Sequence, residues 1–244
     1  MKCLIFASRN QKEISRDPLS VIFGIAFPIF LLGLISLLTK NITGMPANIF
    51  SLESFTPGMA VFSLSFVSLF LGTLIANDRK SSFLTRLFSS PLNKKDYILG
   101  YSLPMVWISI MQIIVCFIAA VVLGLDFSSK VVIAVLVLIP VSFLYIAIGL
   151  LLGTFCSPEQ VGGMGSMIVS VSVLLSGTFF DLDAIKGGFG KFCDALPFKH
   201  AVDVVEVVLK GNNEDILINL AYVLGYAVVI YIIVILCFGK QMRY

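Results

Sequence analysis

The stretch from Val131 to Phe155 reads VVIAVLVLIPVSFLYIAIGLLLGTF, and it decides the fold class. It carries no charged residue, and an α-helix needs about 20 residues at 1.5 Å each to cross about 30 Å of hydrocarbon. Lipid offers no hydrogen-bond partner for the backbone, so the stretch must be helical. Similar stretches predict an all-α integral membrane protein with six transmembrane helices. The spans are predicted at 19–39, 57–76, 98–123, 131–155, 162–180 and 216–238 of a single domain, 1–244.

The composition excludes a soluble enzyme. Hydrophobic residues make up 58% of the chain and charged residues 13%, against about 25% charged residues in soluble domains. After six spans and short loops, no segment remains that could bury a core of its own. The cysteines are scattered without a C-x-x-C pair, so they predict neither a disulfide framework nor a zinc site. They are Cys3, Cys116, Cys156, Cys193 and Cys237.

The distribution of basic residues predicts the orientation. Of the 17 Lys and Arg residues, eleven fall in the N-terminal arm, the 77–97 loop and the C-terminal tail, and six fall on the other side. Cytoplasmic loops carry the excess of Lys and Arg. We therefore expect both termini and the 77–97 loop to be cytoplasmic, in a multi-pass protein of the plasma (cytoplasmic) membrane of a prokaryotic cell.

Segments outside the spans have helical patterns of their own. The N-terminal arm is expected to form an interfacial helix, and Asp17-Pro18 then marks the start of the first span. The 77–97 loop predicts a short basic helix, broken at Ser89-Ser90-Pro91 and restarted at Asn93. Its apolar residues are Phe83, Leu84, Leu87 and Phe88, set against Arg79 and Arg86.

The outer segment 181–215 predicts an amphipathic helix. Four apolar residues recur there at i, i+3, i+4 and i+7, which is the pattern of a helix lying flat at the outer membrane surface. They are Ala201, Val204, Val205 and Val208. The lone His200 stands at the start of this helix, and we interpret it as an interfacial polar residue.

The chain offers no energy source of its own. Ion-coupled carriers place ionisable groups inside spans, whereas here every one falls in a loop or at a helix end. The G-x-x-x-x-G-K-S/T loop that cradles phosphates is missing, because Ile185 stands where the first glycine before Gly190-Lys191 is needed. If ATP powers this protein, a second chain binds it. We predict no catalytic residue, no metal site and no nucleic-acid partner.

Small residues at helical spacing are the remaining candidates for function. They allow helices to approach closely, and they supply hydroxyls within a bundle. Two interpretations stay open, namely helix packing and the lining of a substrate path. The second span carries Ser65, Ser68 and Gly72, and the fifth carries Gly162, Ser166 and Ser170, with Ser176 near its outer end.

These features together resemble the permease subunits of ATP-binding-cassette (ABC) transporters of the type-2 exporter class. The resemblance covers nearly the whole chain, and the order and spacing of several short motifs carry it. The motifs are Arg16-Asp17-Pro18, Thr56-Pro57-Gly58, the stretch 86–92 (RLFSSPL) with the Gly100 region, Leu175-Ser176-Gly177-Thr178-Phe179 and Leu196-Pro197. The chain departs from the pattern at Lys80-Ser81-Ser82 and at Asp181-Leu182-Asp183.

The resemblance implies two six-span subunits around a shared path, each docked on a cytoplasmic ATPase subunit that binds ATP and Mg. Docking would use the N-terminal arm and a coupling helix between spans 2 and 3, with Arg79, Phe83, Leu84, Arg86, Leu87 and Phe88. Spans 2 and 5 would face the path. An outer, re-entrant segment would cap it, with Phe179, Phe180 and Pro197 at the gate.

The sequence therefore predicts an exporter permease for an amphipathic substrate such as a drug, a small peptide or a lipid. Polysaccharide export by the same class is an alternative. A membrane-embedded lipid-metabolising enzyme would instead show activity without any ATPase. An ion-coupled carrier would respond to uncouplers and not to ATP depletion.

Overall fold

The computed structural model describes residues 2–41, 50–81, 83, 93–179, 188–211 and 215–241. Every regular element in these ranges is an α-helix. In chain order they are α1 (Lys2–Ser15), α2 (Pro18–Asn41), α3 (Leu52–Lys80), α4 (Lys94–Leu123), α5 (Ser129–Phe155), α6 (Pro158–Leu174), α7 (Gly188–Asp194), α8 (Pro197–Lys210) and α9 (Ile216–Gln241).

Five of the described helices are long and apolar enough to cross a membrane, namely α2, α3, α4, α5 and α9. The predicted fifth span, 162–180, corresponds to α6, which has 17 residues and is not one of the five. The all-helical architecture is thus observed, with five candidate membrane spans among the described residues, while the six-span topology stays a prediction.

Helix α3 is the centre of the bundle. It packs against α2, α4, α5, α6 and α8. In its most apolar 18-residue stretch 78% of the residues are buried, whereas in that of α9 only 17% are. The exposed side chains of α9 are large and apolar, as expected for a helix that faces lipid. They include Leu217, Ile218, Ile232 and Leu236.

Helices α3 and α5 approach closely at two glycines. A Cβ on Gly149 would lie 2.9 Å from the Cβ of Leu71 and from the carbonyl oxygen of Ser68. A Cβ on Gly153 would lie 2.5 Å from the Cβ of Ile75. Glycine at these positions is what lets the two backbones approach, as is common between membrane helices.

The helix that contains span 2 begins earlier than Thr56-Pro57-Gly58. Ser51 is its N-cap, and its side chain accepts a hydrogen bond from the N–H of Ser54 at 3.3 Å. Pro57 therefore lies inside α3. At the other end α3 continues to Lys80, so the first residues of the predicted 77–97 loop belong to this helix. Asn93 caps α4 with Asp96 in a capping box, as the predicted restart required.

Helix α6, which corresponds to the span predicted at about 162–180, has other bounds than that span. Ser157 and Gln160 form a capping box with Pro158 at the first helical position, so α6 starts before residue 162. This signal was readable in the sequence. The helix ends at Leu174 rather than 180, because a turn follows in which Gly177 has φ +81°, a backbone conformation that glycine adopts without strain.

The apolar face of α8 was predicted correctly, but its surroundings were not. Ala201, Val204, Val205 and Val208 are at most 1% exposed. Helix α8 packs against α3, α5 and α9. Its apolar face is therefore covered by protein, and the prediction that this face lies on lipid at the membrane surface was wrong. Periodicity shows that a helix buries one face, and it does not show against what.

Candidate functional site

One end of the bundle brings together α1, the last turn of α3 and the first turns of α4; we call it the basic end. Helix α1 lies against α4 and buries Phe6, Ala7 and Ile14. A Cβ on Gly100 would lie 2.2 Å from Cδ1 of Phe6. The glycine thus provides the surface on which the Phe6 ring rests. The N-terminal arm is a helix, as predicted.

A charged cluster joins the three helices at the basic end. The Arg9 guanidinium donates to both carboxylate oxygens of Asp78, at 2.6 and 2.8 Å. The Tyr101 hydroxyl donates to the same carboxylate at 2.5 Å. Burial lowers the pKa of Arg9, but the hydrogen bonds and negative charge of Asp78 outweigh it and leave that pKa raised. Arg9 therefore stays charged, and the pair links α1 to α3.

Asn10 extends this cluster into the backbone of α4. Its Nδ2 donates to the carbonyl of Gly100 at 3.0 Å, and its Oδ1 accepts from Arg9 at 2.9 Å. Pro104 lies inside α4, and a proline has no N–H for the carbonyl four residues earlier. Asn10 therefore supplies the donor that Gly100 lacks within its own helix.

Two of the predicted coupling residues lie next to this cluster. The Arg9 guanidinium lies over the Phe83 ring, with its Cζ atom 4.3 Å from the ring centre. The Phe83 ring also stacks beside that of Phe6. Arg79 donates to the carbonyl of Gly153 at 2.9 Å and to that of Thr154, at the end of α5. The other coupling candidates lie outside the described residues: Leu84, Arg86, Leu87 and Phe88.

The small residues of span 2 are buried within the chain. Ser65 and Ser68 are 0% exposed, and each hydroxyl donates to a carbonyl of its own helix at 2.6 Å. A Cβ on Gly72 would lie 3.0 Å from Val161 of α6 and 3.2 Å from Leu152 of α5. In this arrangement these three positions serve helix packing. Their role in a path stays a prediction.

The small residues of span 5 have the opposite surroundings. Ser166 and Ser170 are exposed, as are Gly162 and Gly163. Their hydroxyls donate to carbonyls of α6, Ser166 to Gly162 at 2.8 Å and Ser170 to Ser166 at 2.9 Å. This face of α6 is open to lipid, to a path or to another protein chain.

The other end of the bundle, which we call the opposite end, contains the predicted gate. Ser176 and Thr178 are buried, with their hydroxyl oxygens 2.6 Å apart. A Cβ on Gly58 would lie 2.2 Å from Cγ2 of Thr178. Phe179 contacts the ring of Phe55 edge-on at 5.6 Å. The gate candidate Pro197 is buried at the start of α8, and Phe180 lies outside the described residues.

His200 joins three helices at the opposite end. Its Nδ1 lies 2.7 Å from Oδ1 of Asn219 on α9, and its Nε2 lies 2.9 Å from the carbonyl oxygen of Asp194 on α7. The ring stacks on Tyr222 with centres 4.4 Å apart. His200 is thus a structural link between helices, and its position at the membrane interface stays a prediction.

A comparison of the sequence with models of protein families identifies the family of this helical protein. The family model described as ABC-2 type transporter matches residues 1–209. The chain belongs to the ABC-2 type transporter family. No curated protein matches it closely enough to add a relative. The match makes the chain a transport component, a permease of an ABC transporter, and it implies an ABC ATPase and a lipid bilayer as partners.

The ABC-2 permease has a cavity of about 370 Å³ at the basic end, between α1, α3 and α6. Its lining includes the apolar side chains of Leu69, Phe70 and Leu74 and the carboxylates of Glu13 and Asp17. A cavity lined by both apolar and polar groups fits a molecule that has both characters.

Sequence reasoning missed the charged cluster of this permease. Arg9 and Asp78 are 69 residues apart, so no local spacing connects them. Two signals were nevertheless present: Asp78 is an acidic residue among basic ones, and Gly100-x-x-x-Pro104 marks a helix carbonyl that needs an outside donor.

Proposed function

We propose that this ABC-2 permease exports an amphipathic substrate, such as a drug, a small peptide or a lipid, with energy from a separate ATPase subunit. The observation that carries the proposal is the cavity between α1, α3 and α6. Its apolar wall at Phe70 and Leu74 and its carboxylates at Glu13 and Asp17 suit a molecule with an apolar body and a polar or cationic head.

The proposed direction of transport rests on the predicted orientation. The basic end holds the N-terminal helix and the start of α4, where the excess of Lys and Arg falls, so we place it in the cytoplasm. The cavity then opens toward the cytoplasmic side of a plasma membrane. A substrate taken up there and released past α8 leaves the cell.

The path is proposed to run between two copies of this subunit, or between it and a homologous permease. The support is the exposed face of α6, which carries Ser166 and Ser170. On the same helix, a Cβ added to Gly162 or Gly163 would have no other atom within 4 Å. Ser65 and Ser68 of α3 are buried inside the subunit. They would reach the path only when α3 separates from α5 or α6.

Coupling to the ATPase is proposed to pass through α1 and the 77–97 segment. Helix α1 exposes Leu4 and Ile5, at 64% and 73%, on the side away from α4. Its other side is fixed to Asp78 by Arg9. A push on α1 from a docked ATPase subunit would therefore reach α3 and α4 directly.

The experiment is transport into inside-out vesicles that contain the permease and its ABC ATPase subunit. A panel of a lipophilic cation, a fluorescent phospholipid and an apolar peptide is offered with and without ATP. ATP-driven accumulation of one of them supports export of an amphipath. Accumulation driven by an ion gradient without ATP would contradict the proposal.

Two pairs of variants test the positions of the substrate path and of the ATPase-docking surface. Ser170→Trp should block transport with assembly intact, whereas Val229→Trp, on the exposed face of α9, should not. Leu4→Asp should release the ATPase, whereas Phe127→Asp, 74% exposed at the opposite end, should retain it. Normal transport by an assembled Ser170→Trp protein would remove α6 from the path.

A further inference from the structure

Helix α2 has a break in its hydrogen bonding near its middle. Pro28 lies inside α2, and a proline has no N–H to donate to the carbonyl four residues earlier. That carbonyl belongs to Gly24, which is buried. Within the apolar part of a membrane bundle, a carbonyl without a donor is costly unless a neighbouring helix supplies one.

A side-chain amide lies beside Gly24. Gln112 of α4 is 1% exposed, and its Nε2 lies 2.9 Å from the place that a Cβ on Gly24 would occupy. Within the part of the chain that the structure describes, neither Nε2 nor Oε1 of Gln112 has a hydrogen-bond partner. The Gln112 amide, which can donate, and Gly24, whose carbonyl has no donor within α2, are thus buried next to each other without a hydrogen bond between them.

The same arrangement occurs at the basic end in its bonded form. There Asn10 donates to the carbonyl of Gly100, which Pro104 leaves without a helix donor. Both sites have the spacing Gly-x-x-x-Pro, and in both a carboxamide of another helix approaches the glycine. The hydrogen bond from Asn10 to Gly100 therefore shows, within the same chain, the kind of contact that Gln112 could make with Gly24.

We propose that Gln112 is a positioning residue for α2, which donates to the Gly24 carbonyl when α2 bends at Pro28. A proline is a common site of helix kinks, and because Gly24 has no side chain, the Phe70 ring and the Gln112 amide both lie against it, 2.7 and 2.9 Å from the place of a Cβ. The structure shows the open state. Helix α2 then has two states that differ by this hydrogen bond, and α4 selects between them. The inference goes beyond the proposed function, because it holds for any substrate and either direction of transport.

The experiment measures a distance along α2 in the full chain, held in lipid nanodiscs. Spin labels on Ile22→Cys and Leu37→Cys lie on either side of Pro28, at positions 56% and 60% exposed, after replacement of the native cysteines by alanine. At 1.5 Å per residue the labelled positions are about 22 Å apart in an unbent helix. Dilution with unlabelled chain removes distances between copies.

We expect two distance populations in the otherwise unchanged chain, the shorter one from bent α2. Gln112→Met keeps the volume and removes the donor, so the ratio of short to long distances should fall about fivefold, the worth of one hydrogen bond. Pro28→Ala returns an N–H to the Gly24 carbonyl and should remove the short population. In that background Gln112→Met should change nothing further. The matched control is Ser109→Ala, which removes a buried hydroxyl that bonds only its own helix and should leave both populations unchanged.

Three results would overturn the proposal: a single distance population before Gln112 is changed, an unchanged ratio in Gln112→Met, or a fall of the same size with and without Pro28. The last would mean that Gln112 acts through packing. Gln112→Leu is the second variant without a donor, should the methionine variant not fold. Neither ATP nor substrate is involved, so the outcome is independent of whether the chain is an exporter.

Discussion

The two ends of the bundle are held together by different forces. At the basic end, charged and directional bonds join three helices: Arg9 to Asp78, and Tyr101 to the same carboxylate. At the opposite end, α8 covers the bundle with an apolar face, Thr178 fits against Gly58, and the hydrogen bonds of His200 to α7 and α9 are made without an ion pair. Directional bonds fix the relative positions of helices, whereas apolar surfaces slide in small steps. We therefore expect the charged pair to keep α1, α3 and α4 together as one body at the basic end.

The strongest way to break this comparison is to remove the carboxylate of the basic end. Asp78→Ala leaves Arg9 and the Tyr101 hydroxyl without their acceptor. Breaking a buried pair costs about 3–5 kcal/mol, and we expect about 3 kcal/mol because the Arg9 side chain is 34% exposed. The measurement is unfolding of the purified protein in mixed detergent micelles. The control is Glu13→Gln, whose carboxylate is 45% exposed and 3.9 Å from Arg9. Equal stability of the two variants would mean that the cluster does not hold the basic end.

At the opposite end the matching change is Gly58→Ala. The new methyl would lie 2.2 Å from Cγ2 and 2.3 Å from Oγ1 of Thr178, and overpacking of this kind costs about 1–3 kcal/mol. Gly33→Ala is the control, since nothing lies within 4 Å of that position. The second change Thr178→Gly should recover part of the loss. A Gly58→Ala protein as stable as Gly33→Ala would show that this end is loosely packed.

Asn10 sharpens the comparison, because its hydrogen bond is neutral but lies in the charged cluster. Asn10→Leu should cost about 1–2 kcal/mol, since it leaves the Gly100 carbonyl without a donor. Pro104→Ala restores an N–H within α4, so the cost of Asn10→Leu should largely vanish in that background. Thermal unfolding of the four proteins measures the coupling. Additive losses would refute the role of Asn10 at this carbonyl.

The smallest effect is expected from the exposed ion pair at the basic end. The hydrogen bond from Lys80 holds the pKa of Glu159 at about 2, below its ordinary value, so the pair stabilises the fold above pH 4.5 and loses this contribution as the pH falls toward 2. Both side chains are 65% exposed, and solvent and salt weaken such pairs. Glu159→Gln should lower the Tm slightly at pH 7 in low salt, with a difference that shrinks below pH 4.5. A difference that is independent of pH and salt would contradict this.

Local sequence signals predicted those parts of the molecule that depend on neighbouring residues. Asp17-Pro18 marked the start of α2, and the spacing from Ala201 to Val208 marked a buried helix face. The end of α6 was misplaced because apolar residues continue past Leu174, and only the backbone conformation of Gly177 shows that the helix has stopped.

The charged cluster could not be predicted in the same way. Arg9 and Asp78 meet because α1 folds back against α4, and nothing in either segment fixes that angle. The spacings Gly100-x-x-x-Pro104 and Gly24-x-x-x-Pro28 do predict that each glycine carbonyl lacks an N–H donor within its own helix. The sequence does not predict which side chain of another helix would donate to it.

The length of α6 has a consequence for the surrounding lipid. Its 17 residues give about 25 Å of helix, which is shorter than a hydrocarbon layer of about 30 Å. If α6 crosses the bilayer, hydrophobic mismatch forces the acyl chains beside it to shorten or tilt, at a modest cost for each ångström. The membrane would then be thinnest beside Ser166 and Ser170. Bilayers of shorter-chain phospholipids would relieve that mismatch, so chain length is a variable through which the membrane itself acts on this permease.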